Sequence, residues 1–128
     1  MIRRLPLLAL TAALASACVT LPKVNEDGSS EVRLGQKANL GGPVVTVMKV
    51  LEDSRCPMEA RCAWAGRVRL RVRIQLGSGT RLSELASDQP LPVADGTLEL
   101  LGTMPPRSTQ RTIAPGDYRF ALKFSGGL

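Results

Sequence analysis

Four arginines at every second position, Arg67, Arg69, Arg71 and Arg73, and three cysteines, Cys18, Cys56 and Cys62, carry most of the chemistry this sequence offers. Guanidinium groups in a row can grip phosphate or carboxylate oxygens bidentately. Cys56 and Cys62, with five residues between them, can close a disulfide. As metal ligands they make an incomplete zinc site, because the chain has no histidine and no C-x-x-C spacing. The same lack of histidine removes the commonest general base, and neither a G-x-S-x-G turn nor a phosphate-cradling loop is present. Glu52 and Asp53 are adjacent and read as loop residues, with Asp53 accepting backbone hydrogen bonds in a tight loop. The expectation is a protein that is not an enzyme and carries no cofactor and no metal.

Cys18 closes a different pattern. Arg3 and Arg4 precede an apolar run from Leu5 to Leu14, followed by Ala15-Ser16-Ala17-Cys18, which reads as a secretory signal peptide over residues 1–17. The run is about ten residues long against the roughly twenty that a spanning helix requires. A small-residue run ending in cysteine resembles a bacterial lipobox, which makes Cys18 the lipid-bearing N-terminus of a membrane-anchored envelope protein. Ordinary signal-peptidase cleavage after Ala17, giving a soluble periplasmic or secreted protein, is the alternative. Residues 18–30 are polar and broken by Pro22 and Gly28, and read as a flexible tether that would reach about 40 Å if extended.

Removing the leader takes two of the 17 basic side chains and none of the 11 acidic ones, so the mature chain is modestly basic, at +4. Export to an oxidising compartment favours a Cys56–Cys62 disulfide, and in the chain-entropy model so short a loop contributes about 2.4 kcal/mol. That matters in a domain with only four aromatic residues.

The elements that must position these groups are strands. From Cys62 to Leu76 the even positions are apolar apart from Gly66, and the odd positions carry the arginines, a period of two that no helix turns into one apolar stripe. This predicts a strand with Cys62, Trp64, Val68, Leu70, Val72, Ile74 and Leu76 facing a core, and the Trp64 indole packed beside the disulfide. The arginine face is expected to meet solvent, with Glu84 or Glu99 nearby, or else an anionic partner. Further strands are expected at residues 31–34, 36–40, 44–51, 80–85, 97–101 and 118–124. The hairpin after Leu76 admits two registers. A three-residue loop sets Leu82 across from Ile74, and a two-residue loop at Ser78-Gly79 sets Glu84 across from Arg73. About seven short strands predict one all-β domain over residues 31–128, an antiparallel immunoglobulin-like sandwich, with a small closed barrel as the second choice.

Asp53-Ser54-Arg55-Cys56-Pro57, then Cys62-x-Trp64-Ala65-Gly66, and later Pro115-Gly116-Asp117-Tyr118-Arg119, resemble the pattern of a group of small, uncharacterised bacterial envelope proteins, many of which look like lipoproteins. The resemblance implies export and an all-β fold and assigns no catalytic residue. Together with the residues, it leads to the expectation of a non-catalytic binding or interaction module at the cell envelope. Its expected partners are the membrane, through the N-terminal lipid, and anionic envelope components or another envelope protein. The other expectation is a structural or inhibitor-like protein whose disulfide loop, 55–61, enters a partner's cleft. Nucleic acid is disfavoured, because the basic residues lack interleaved aromatics and the chain is exported.

Overall fold

The computed structural model describes Ser16 and residues 21–126; Cys18 lies outside them. Among the described residues nine strands build two antiparallel sheets packed as a sandwich, and these sheets do not close into a barrel. One sheet has the order β1 (Lys23–Val24), β2 (Ser30–Val32), β9 (Arg119–Ser125), β8 (Gly96–Met104), β7 (Leu91–Val93). The other has the order β3 (Lys37–Asn39), β4 (Val44–Asp53), β5 (Val68–Leu76), β6 (Gly79–Ala86). Val45, Val47, Val68, Leu70, Val72, Ile74 and Leu85 from this sheet meet Val32, Leu98, Leu100, Phe120 and Leu122 from the first in one core. Alternation is what places them there, since each flanking residue on the same strand points to the opposite face.

Two strands beyond the expected seven come from stretches that read as irregular. β7 forms in spite of Pro92 because it is an edge strand, where a missing N–H need not interrupt a ladder. β1 lies inside the supposed tether. There the Asp27 carboxylate accepts hydrogen bonds from the Ser29 backbone N–H at 2.9 Å and the Ser29 hydroxyl at 2.6 Å, and Gly28 takes a positive φ of 81°. The resulting turn pairs Lys23 with Glu31 and Val24 with Ser30. The stretch read as a tether is therefore part of the sheet from Lys23 onward.

The arginine strand starts at Val68, six residues later than its alternation suggests. Gly66 has φ +67°, and a side chain there would place its Cβ 1.8 Å from the Ser54 carbonyl oxygen. The chain bends at this point, so the periodicity before Gly66 no longer has a sheet to refer to. Trp64 consequently does not pack in the core. It is 83% exposed, and Cys62 is exposed as well. The β5–β6 hairpin uses neither expected loop. Its turn is Gly77-Ser78, Leu76 pairs with Gly79, Leu82 opposes Arg73 and Glu84 opposes Arg71. Gly79 enters the ladder at φ +138°, a conformation that a residue with a Cβ rarely adopts; the turn thus lies one residue earlier than Ser78-Gly79, and the pairing shifts by two residues.

Replacing Gly66 with alanine is expected to destabilise the domain by about 2 kcal/mol or more, since both the backbone conformation and the Ser54 contact oppose a side chain. Urea unfolding of the two proteins measures this. Because Trp64 is already exposed, its emission spectrum should change little when the native protein unfolds.

Candidate functional site

Two groups of polar side chains stand out, one at the end of the sandwich and one on the outer face of the β3–β6 sheet. At the end of the sandwich, β4 leads into the loop 54–67 and β8 into the loop 105–118. Arg55 donates from Nε and Nη2 to the two carboxylate oxygens of Asp53, both at 2.8 Å. The same guanidinium donates to the Thr103 carbonyl at 2.8 Å and the Pro105 carbonyl at 3.1 Å, across the gap between the sheets. Tyr118, at the start of β9, donates its hydroxyl to Asp53 at 2.9 Å, and its ring stacks on Phe120 with centroids 5.6 Å apart. Arg107 returns the connection by donating to the Arg55 carbonyl at 2.7 Å.

A cleft of about 490 Å³ opens beside this cluster, lined by Asp53, Tyr118 and residues 107–113. Asp53 and Tyr118 are both shifted away from neutral pH. Burial pushes the Asp53 carboxyl up, but the hydrogen bonds from Arg55 and Tyr118 and the Arg55 charge outweigh it and hold the group below the usual carboxylate range. Burial, followed by the hydrogen bond to Asp53 and its charge, pushes the Tyr118 phenol up to about 12. The cluster is a latch between sheets. The disulfide Cys56–Cys62 closes the adjoining loop, with Cα atoms 5.9 Å apart. The loop is further pinned by Met58 N–H donating to the Arg107 carbonyl at 3.0 Å, and by Glu59 accepting from the Ser108 hydroxyl at 2.5 Å and the Thr109 N–H at 3.0 Å. The three stretches singled out in the sequence, around Asp53, Cys62 and Tyr118, thus converge on one knot.

On the outer face of the other sheet the arginine ladder splits in two. β4 carries irregularities between Val47 and Lys49 and between Val50 and Glu52, each inserting one residue relative to β5. These shifts set Glu52 opposite Arg69 and Lys49 opposite Arg71. Arg67 donates Nε to Glu52 at 2.9 Å and approaches Asp88 to 3.8 Å. Arg69 pairs with Glu84 and lies 3.9 Å from Glu52. The Arg69 hydrogen bond chiefly holds the Glu84 carboxyl below its usual range. Glu99 takes no part, because it lies in the other sheet opposite Lys123.

Arg71 and Arg73 form no ion pair among the described residues. On the β4 side their neighbours add positive charge: Lys49 opposes Arg71, and Lys37 lies beyond Thr46, which opposes Arg73; on the β6 side Arg71 faces Glu84, which pairs with Arg69. Thr46 is on this outer face yet only 4% exposed, and its hydroxyl has no hydrogen-bond partner among the described residues. Exposed Leu82 and Met48 flank the four cations. Of the four arginines read as an anion-binding face, then, Arg67 and Arg69 are engaged by acids, and Arg71 and Arg73 are joined by two lysines. The lysines carried no signal in the sequence, because the two β4 irregularities decide which residues share the arginine face. Among the described residues no group of three His, Cys, Asp or Glu side chains could hold a metal ion.

The Asp53 latch has a pH signature. A carboxyl held below its unfolded value of about 3.9 adds stability that is fully present above that pH and is lost as pH falls through the folded value. Asp53→Asn is expected to lower stability by about 1–3 kcal/mol at neutral pH and to flatten part of the acid limb, as read by urea unfolding through the acid range.

The chain was compared with family models, with curated proteins and with solved structures, and matches none of them.

Proposed function

We propose that this is an exported protein of the bacterial cell envelope, anchored through lipid on Cys18, that acts without catalysis by binding anionic envelope material. The binding face is the cluster Arg71, Arg73, Lys49 and Lys37. One observation carries the reading: Arg71, Arg73, Lys49 and Lys37 share one sheet face and form no ion pair among the described residues, while Glu84, the acid opposite Arg71, is taken up by its pair with Arg69. Like charges directly opposite each other on a sheet are destabilising, so Lys49 against Arg71 weakens the fold slightly. Phosphate or carboxylate groups arrayed on acidic glycans or lipid head groups would relieve that repulsion and supply acceptors for the guanidinium donors. The exported state and the anchor rest on the leader and on the small residues before Cys18.

The inhibitor-like alternative has less support. Glu59 and the Met58 backbone in the 55–61 loop are bonded to residues 107–109, so the loop is held against its own protein.

The charge reversal Lys49→Glu separates a binding face from a merely solvated one. It is expected to raise stability by about 0.2–1 kcal/mol, by replacing a repulsive cross-strand pair with an attractive one. The same change should weaken binding to acidic polysaccharide or anionic vesicles at low ionic strength by about tenfold, an affinity that also falls with added salt. Equal affinity of the two proteins for both ligands would reject this face. Mass spectrometry of the mature N-terminus tests the anchor, with a lipid-modified Cys18 expected.

A further inference from the structure

We infer that the loop end of the sandwich faces the bilayer and seats Trp64 and Met58 in its interfacial layer. This inference rests on the lipid anchor at Cys18. β1 and β9 are both antiparallel to β2, so they run in the same direction. β9 begins at Arg119, opposite Met104, at the end where the loops 54–67 and 105–118 lie. Followed backwards from Lys23, the chain therefore heads towards that end. Leu21 already lines a cleft there with Arg33 and Arg119, and the same two arginines line the neighbouring cleft with Met104 and Pro105.

Two residues separate Cys18 from Leu21, so the three chain steps between them reach at most about 11 Å. The 18–30 tether, which fully extended would let the domain turn freely, is too short once β1 has paired. A lipid on Cys18 would bring this end against the membrane.

The surface found there suits that contact. Trp64 is 83% exposed and Met58 62% exposed, and Leu21 and Met104 are exposed too. The loop carrying Trp64 and Met58 is braced by the disulfide, by Gly66 against Ser54 and by the bonds to residues 107–109, so presenting these side chains to water is a fixed feature of the loop. Arg33, Arg61 and Arg111 lie at the same end, exposed and without an ion pair among the described residues. Tryptophan with flanking cations is the composition that settles at the level of lipid head groups, where the indole ring is part apolar and part wet and the cations meet anionic phosphates.

The chain has a single tryptophan, so its fluorescence reports this contact alone. The mature protein is reconstituted into vesicles of phosphatidylcholine and phosphatidylglycerol, with the mass of its N-terminal peptide measured on the same sample. With lipid on Cys18, Trp64 emission should shift to the blue, be quenched severalfold by brominated acyl chains, and lose most of its quenching by aqueous acrylamide. A lipid-modified Cys18 with Trp64 as accessible to acrylamide as in solution overturns the inference and leaves the anchor standing. That outcome would point to a protein partner for the loop. An unmodified Cys18 overturns both, since the leash is then absent.

Discussion

The Asp53 carboxylate is the point at which the two sheets are tied together. Core contacts between sheets are non-directional and set how closely the sheets approach. They do little to fix the far end of the sandwich, where β4 and β8 leave their sheets for long loops. There Asp53 takes both prongs of the Arg55 guanidinium and the Tyr118 hydroxyl, and Arg55 spends its remaining donors on backbone carbonyls of the opposite sheet. Each partner is stabilised in the protonation state the latch needs: Asp53 stays ionised, Tyr118 stays a phenol, and the Arg55 pKa is raised further, chiefly by the Asp53 hydrogen bond. The disulfide loop, the 105–118 loop and the start of β9 all hang from this group.

The outer face of the β3–β6 sheet shows how little a change of register has to be to change chemistry. The two irregularities in β4 move Glu52 to the arginine face at one end of the ladder and Lys49 to it further along. One end becomes an acid-compensated surface, and the other gathers Arg71, Arg73, Lys49 and Lys37, with Thr46 between Lys37 and Arg73. The compensated end adjoins the latch, and the cationic end lies towards the middle and far half of the sheet, so the two surfaces of interest occupy different parts of the molecule.

Much of the fold was legible because its strongest signal, period-two alternation, survives wherever a strand is half buried. Val68, Leu70, Val72 and Ile74 on β5 and Phe120 and Leu122 on β9 are buried as their spacing implied. The disulfide was legible from the spacing of Cys56 and Cys62. Trp64 was misplaced because a single glycine with positive φ ended the strand, and alternation carries no information about where a strand stops. Lys49 and Lys37 were invisible as partners of the arginines, since bulges and cross-strand neighbours are decided by pairing between distant segments. Asp53 was expected to serve its own loop. It does so through Arg55, two residues on, but its other partner Tyr118 is 65 residues away, a distance over which local pattern has nothing to say.

The sheet order has one more consequence, for how copies of this protein tolerate one another. Of the four outermost strands, β1, β3 and β7 are two, three and three residues long, and β7 contains Pro92. Such edges offer too few free N–H and C=O groups to template an added strand. The eight-residue β6 is the exception, and along it Arg81 and Glu84 place opposite charges, with the Arg81 guanidinium donating to the Pro92 carbonyl at 3.0 Å. Two such edges brought together would have to strip water from those charges, so crowding alone does not favour strand-to-strand aggregation of the folded domain.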